Sequence, residues 1–117
     1  MVVRVSLGKV SILMTGDIAR HAELELVRRY SNQRLKSTVL MVPHHGSRKS
    51  SAMPFLTAVA PSEAVISAGW RNRFGFPHRE TIERLAAVGS RVWCTADSGA
   101  IQITTNGETY KVKPTRK

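Results

Sequence analysis

The order of apolar runs in this 117-residue chain predicts an α/β fold built on a mixed sheet, with elements in the order ββ-αβ-αβ-α-βββ. Three observations carry that prediction. At the N-terminus, two strand-like runs, 2–7 and 10–14, flank a tight turn at Gly8. Further on, two short continuous apolar runs, 38–42 and 64–67, read as parallel strands buried on both faces, with helical periodicity between them. Near the end, Asn106-Gly107 separates two more strand-like runs and is a strong hairpin signal.

The elements follow in order. Val2, Val3, Val5 and Leu7, then Val10, Ile12, Leu13 and Met14, make the opening pair of strands. From Ile18 to Tyr30 the apolar residues Ile18, Ala22, Leu24, Leu26 and Val27 alternate with Arg20, Glu23, Arg28 and Arg29, which predicts an amphipathic helix. A strand at 38–42 comes next, then a helix from Ser51 to Val59 with Pro54 in its first turn. Another short strand (64–67) leads into a loop, 68–76, rich in Gly, Arg and aromatics. Pro77 opens a third helix whose apolar stripe is Ile82, Leu85, Ala86 and Val88 and whose stop is Gly89. Strands at 91–95, 100–105 and 108–112 close the chain. Right-handed βαβ connections bring the ends of the strands before Asp17, His44 and Gly69 to one edge of the sheet, where α/β proteins build sites.

Composition narrows the partners. Hydrophobic residues at 42% and charged residues at 22% are ordinary for a soluble globular protein. No apolar run approaches the roughly 18 residues of a membrane span, and the N-terminus lacks a signal-peptide pattern. The net charge of +10, from 18 Lys and Arg against 8 Asp and Glu, favours polyanionic partners such as nucleic acid, phosphoesters or anionic lipid. A solubilising surface with a basic tail at 114–117 accounts for the same charge. The single Cys94 allows no internal disulfide and forms no zinc motif.

Chemistry-bearing residues concentrate in three loops. Asp17 ends the second strand-like run and serves either as a helix N-cap or as a metal ligand. Arg20 stands where a capping box needs Glu or Gln, so no capping box forms. His44 and His45 follow Pro43. On an extended chain neighbouring side chains alternate, so one imidazole would face a metal and the other the sheet or a substrate. Gly46 permits a tight path, and Ser47 either caps the turn or bonds a phosphate. The third loop carries Arg71 and Arg73 as phosphate clamps, Trp70 or Phe74 as base-stacking rings, and His78 as a proton donor or phosphate contact. Each of these sets also reads as ordinary surface. A two-metal site needs about five or six protein ligands, and no His-x-His-x-Asp-His cluster occurs in the chain; a complete site is not expected from these residues alone.

The segments LMTGDI (Leu13 to Ile18), VPHHGSRKSS (Val42 to Ser51), VISAGWRNRFGFPH (Val65 to His78) and ETIERL (Glu80 to Leu85) resemble the C-terminal part of ComEC-type DNA-internalisation competence proteins, in register over nearly the whole chain. The stretch is that family's metallo-β-lactamase-like domain. The resemblance implies the second half of a metallo-β-lactamase-type αββα sandwich over residues 1–113, with a basic tail after it. It implies that Asp17 bridges two metals, Zn or Mn, in the complete domain, and that His45, rather than His44, is a terminal ligand. The remaining ligands and the activated water would come from an upstream His-rich segment, so this chain alone is expected to be inactive, with the metal a cofactor of the complete domain. The family usually has His where Phe76 stands, leaving His78 as the one histidine of that loop. It also implies a soluble domain of an inner-membrane protein forming a channel for single-stranded DNA, partnered by DNA, by the preceding half-domain and by the channel.

On this reading the chain is part of a DNA-processing metallonuclease, with Ser47, Arg48, Lys49, Arg71 and Arg73 on the DNA. A metal-free basic DNA-binding module, with Arg79 added to that cluster, and a non-DNA metallo-phosphoesterase are the alternatives. A half sandwich also exposes an apolar sheet face, from which self-association is expected.

Overall fold

In a computed structural model describing residues 2–30, 32–70 and 72–116, the chain opens with an antiparallel hairpin. Strand β1 (Val3–Leu7) turns at Gly8 into β2 (Val10–Met14), in the register Val3↔Met14 to Leu7↔Val10. Three parallel strands extend this pair: β3 (Val39–Met41), β4 (Glu63–Ile66) and β5 (Arg91–Cys94). The sheet order is β1-β2-β3-β4-β5, with β1 the one antiparallel member. A sequential order with right-handed crossovers puts every connecting helix on the same face.

Those helices are α1 (Arg20–Arg29), α2 (Asn32–Leu35), α3 (Met53–Val59) and α4 (Arg79–Ala87). The core between helices and sheet is formed by Leu13, Leu40, Ala64, Ile66 and Cys94 from the strands, with Phe55, Leu56, Ala58, Val59 and Leu85 from the helices. Burial of side chains such as Phe55, Leu56 and Leu85 contributes about 1.5–3 kcal/mol each. All four residues of β4 are buried, as a central parallel strand requires.

The expected elements form, with differences that packing explains. Helix α1 starts at Arg20 rather than Ile18 and ends at Arg29, with Ala19 at the N-cap. Asp17 therefore lies outside the helix and does not cap it. Glu23 is the fully buried residue of this helix, while Leu24 is turned to solvent. In α4 the buried positions are Thr81 and Leu85, and Ala86 is exposed. That helix begins at Arg79, with His78 rather than Pro77 at its boundary. Two single-turn helices, α2 and α5 (Thr95–Ser98), fall where the sequence shows no helical periodicity.

The last two strands leave the main sheet. β6 (Ile101–Thr105) and β7 (Tyr110–Pro114) form a separate antiparallel pair, and β7 lies two residues later than expected. Ala64 and Ile66 point toward the helices, so Glu63 and Val65 point to the opposite face. The Tyr110 hydroxyl donates to Glu63 Oε2 at 2.7 Å, and the Lys9 N–H donates to the Gly107 carbonyl at 2.6 Å. The hairpin thus covers part of the face away from the helices.

Glu63 anchors this layer. Its carboxylate, 2% exposed, receives Arg91, Trp93 Nε1–H and the Tyr110 hydroxyl. Burial pushes the Glu63 carboxyl up, but the hydrogen bonds from Arg91, Trp93 and Tyr110 outweigh it and hold it below its ordinary value. The uncovered remainder of this face carries Val3, Val5, Leu7 and Met14, all exposed. Arg4, between Val3 and Val5, turns the other way and donates to the Lys36 carbonyl.

Candidate functional site

Three loops leave the same edge of the sheet and lock together. The first, Thr15–Ala19, follows β2. Thr15 donates its hydroxyl to the Met41 carbonyl at 2.7 Å, and the Gly16 carbonyl accepts the His44 N–H at 2.9 Å. The second is a short 3-10 turn, Pro43–Gly46, after β3. The third runs from Ser67 to His78.

The 3-10 turn departs from the extended chain on which side-chain alternation was argued. His44 (φ 54°) and His45 (φ 55°) are both left-handed, and Gly46 (φ 83°) continues the reversal. A left-handed backbone costs a non-glycine residue about 1–2 kcal/mol, so the surrounding contacts must hold this turn. Gly46 is required here for a second reason: a Cβ on it would stand 2.7 Å from Pro77 Cβ. The His78 N–H donates to the Gly46 carbonyl at 3.0 Å, joining the second loop to the third.

This turn points His45 across the edge at Asp17. His45 Nδ1 lies 2.7 Å from the Ser67 carbonyl, an acceptor only, so Nδ1 carries the proton. In the neutral ring Nε2 then carries the lone pair, 3.6 Å from Asp17 Oδ1. Both side chains are open to solvent. A backbone carbonyl that takes one ring N–H fixes the orientation of the imidazole and leaves the other nitrogen facing outward. His44 takes a different place: its Nδ1 is buried without a hydrogen-bond partner and its ring is tilted against Phe76, with centroids 5.9 Å apart.

His78 is engaged at both nitrogens. Nδ1 accepts the Arg48 N–H at 2.9 Å, and Nε2 faces the Phe74 carbonyl at 3.1 Å, so the proton sits on Nε2. Here it braces the second loop against the third. Phe76 sits among the three imidazoles, 6.1 Å from His45 and 5.0 Å from His78.

Asp17, His44, His45, Ser47, Arg48, Lys49, Phe74, Phe76 and His78 line one open groove of about 570 Å³. Arg48 and Lys49 are exposed on its rim, and Arg48 Nε is 4.0 Å from Glu80. The Ser47 side chain is buried, its hydroxyl accepting the Lys49 N–H at 3.2 Å, which caps the turn. Arg73 is exposed and lies over the Phe74 ring, 5.1 Å from its centroid. Arg79 is exposed at the start of α4, and Arg71 lies outside the described residues. Among the described residues no group of three or more His, Cys, Asp or Glu is placed to hold a metal; Asp17 and His45 form a pair.

Sequence reasoning missed the groups that set this geometry. Glu23 is fully buried and accepts the Ser51 N–H at 2.5 Å and the Ala52 N–H at 2.8 Å. Burial pushes its carboxyl above the ordinary range, against the pull of those N–H groups and of Arg20 and Arg84. Arg84 donates to the carbonyls of Arg48, Ser50 and Ser51. Together they clamp the segment after Gly46 from below. Asn72 does the same for the third loop, bonding the Gly69 and Phe76 carbonyls and the Phe76 N–H. A signal existed for Glu23, which precedes Leu26 and Val27 by three and four residues on the apolar stripe of its own helix.

Among the described residues no helix is long and apolar enough to cross a membrane. No family model matches the chain. It is similar to a protein of Neisseria gonorrhoeae named Competence protein ComA, 41% identical over 101 residues, covering 86% of this chain and 14% of that protein. ComE operon protein 3 of Bacillus subtilis is 37% identical over 95 residues, 81% of this chain and 12% of its own length. Recombination protein 2 of Haemophilus influenzae is 39% identical over 102 residues, 87% of this chain and 12% of its own length. The chain thus spans 12–14% of the length of these relatives.

Proposed function

With homologues that are competence proteins as the premise, we propose that this chain is the C-terminal half of a metallo-β-lactamase-type αββα domain in a DNA-uptake protein, and that the domain hydrolyses phosphodiester bonds of incoming DNA. Asp17 and His45 are this chain's contribution to a divalent metal centre, Zn or Mn. The preceding half-domain contributes the remaining ligands, so the chain alone is inactive.

The observation that carries the reading is the His45–Asp17 pair: a lone pair and a carboxylate 3.6 Å apart, with the imidazole held from behind by Ser67. That donor set fits part of a zinc or manganese site and falls short of a whole one. When bound, such metals supply an activated water and polarise the phosphoryl oxygen. This chain's own residues then bind and orient: Arg48 and Lys49 stand where phosphate oxygens approach the pair, and the net charge of +10 favours a polyanion. The sheet with all crossover helices on one face, and an apolar patch on the other, agrees with half of a sandwich.

Calorimetry with Mn²⁺ and Zn²⁺ tests the half-site directly. Stoichiometric binding that disappears in both Asp17→Ala and His45→Ala supports it. Joined to the preceding segment of the parent protein, the chain is expected to cleave DNA only with divalent metal. Unchanged cleavage by Asp17→Ala in that joined protein would sink the assignment.

A second reading, a metal-free DNA-binding module, draws on the exposed Arg48, Lys49, Arg73 and Arg79 near one edge. It predicts salt-sensitive DNA binding that survives chelator and both substitutions.

A further inference from the structure

The third loop holds aromatic surface that the phosphate chemistry does not use. Phe74 is 59% exposed while its ring stacks on Phe76. It is one end of a near-parallel series of rings. Phe74 and Phe76 are 5.4 Å apart and inclined by 19°; Phe76 and His45 are 6.1 Å apart and inclined by 22°. The series therefore runs from solvent, along the wall of the groove, to the imidazole that faces Asp17. Asn72 fixes its path through three hydrogen bonds to the loop backbone. The guanidinium of exposed Arg73 lies over Phe74, a planar cation that can stack on a base or move to a phosphate.

We propose that Phe74 is a stacking platform for an unpaired nucleobase, making it the residue by which this site selects single-stranded or frayed DNA over intact duplex. The inference rests on the DNA-hydrolase reading above and adds the form of the substrate to it. In a duplex each base has its faces covered by its neighbours, and a lateral ring cannot reach them. In a single strand the faces are free, and stacking on an aromatic ring is indifferent to sequence. A base seated on Phe74 lies beside Arg73, and the same strand's phosphates run past Arg48 and Lys49 toward the Asp17–His45 pair.

The test is fluorescence anisotropy of the chain with labelled oligonucleotides of about 15 nucleotides, at low salt and in a salt series. The probes are a single strand, the same strand made abasic, and the blunt duplex. The expected result is tighter binding of the single strand than of the duplex. Phe74→Ala weakens single-strand binding about 5- to 100-fold without changing the salt slope or duplex binding, and Phe74→Trp restores it. The abasic strand binds the native chain as weakly as the ordinary strand binds Phe74→Ala. Equal binding of abasic and ordinary strands, or an unchanged Phe74→Ala, overturns the platform and leaves the DNA reading standing. If no DNA binds even at low salt, the reading on which the proposal rests is overturned as well.

Discussion

The Ser67 carbonyl accepts the Nδ1–H of His45 at 2.7 Å, and this single bond determines which nitrogen His45 turns toward Asp17. His78 is fixed in the opposite sense, with Nδ1 accepting from Arg48 N–H. Nitrogen NMR of the rings above their titration range should therefore show Nδ1–H in His45 and Nε2–H in His78. Added Zn²⁺ should move the Nε2 resonance of His45 first. A His45 found as the Nε2–H tautomer would remove the proposed ligand atom.

Gly46 and Gly75 separate two effects of a Cβ. Both have positive φ, but a Cβ on Gly46 would stand 2.7 Å from Pro77 Cβ, whereas one on Gly75 would meet nothing within 4 Å among the described residues. Gly75→Ala should cost about 1 kcal/mol, the backbone strain alone. Gly46→Ala adds a clash in a packed turn and should cost about 3 kcal/mol. Urea unfolding of the two variants gives the comparison; equal losses would mean that the Pro77 contact yields.

The clamp formed by Glu23 and Arg84 should control the mobility of the loop that carries Arg48 and Lys49. Glu23→Ala leaves the Ser51 and Ala52 N–H groups buried without an acceptor, a loss of about 2–4 kcal/mol. Arg84→Lys keeps the charge but cannot reach three carbonyls at once. Hydrogen exchange at residues 48–52 should quicken in both variants while the amides of β3 and β4 keep their protection. Unaltered exchange at 48–52 would assign the clamp to another part of the fold.

Acid stability should expose two carboxylates of opposite sign. Glu63 is held below its ordinary value of 4.5, so the folded state binds its proton more weakly than the unfolded chain. Its stabilisation is complete above 4.5 and is lost as the pH falls toward the lower folded value. Glu23 is raised above 4.5, so its contribution is present below that value and is lost as the pH rises through the folded one. In unfolding curves against pH, the advantage of the native chain over Glu63→Gln should shrink on acidification. Its advantage over Glu23→Gln should shrink as the pH rises past 4.5. A pH-independent difference in either case contradicts the shift.

The apolar patch of Val3, Val5, Leu7 and Met14 should make the isolated chain associate as its concentration rises. Sedimentation of Val5→Lys with Leu7→Lys should show monomer over the same range, with the helical core unaffected because both side chains point away from it. A native chain that stays monomeric would leave the patch without a partner of its own kind.

Much of this was legible along the chain because it depends on near neighbours. Apolar runs such as 38–42 and 64–67 mark buried strands, Asn106-Gly107 marks the last hairpin, and the βαβ order alone brings the strand ends before Asp17, His44 and Gly69 to one edge. The left-handed path of His44 and His45 was not legible, because a local energetic cost is met there by distant hydrogen bonds to Gly16 and from His78. Nor was the separation of β6 and β7 from the main sheet, to whose face Tyr110 fastens the hairpin by donating to Glu63 far along the chain. Local propensity and periodicity specified the elements and their order. Which nitrogen faces Asp17, which charges are buried, and which rings line the groove were decided by tertiary contacts, since hydrogen-bond partners and burial belong to residues that meet only in the folded chain.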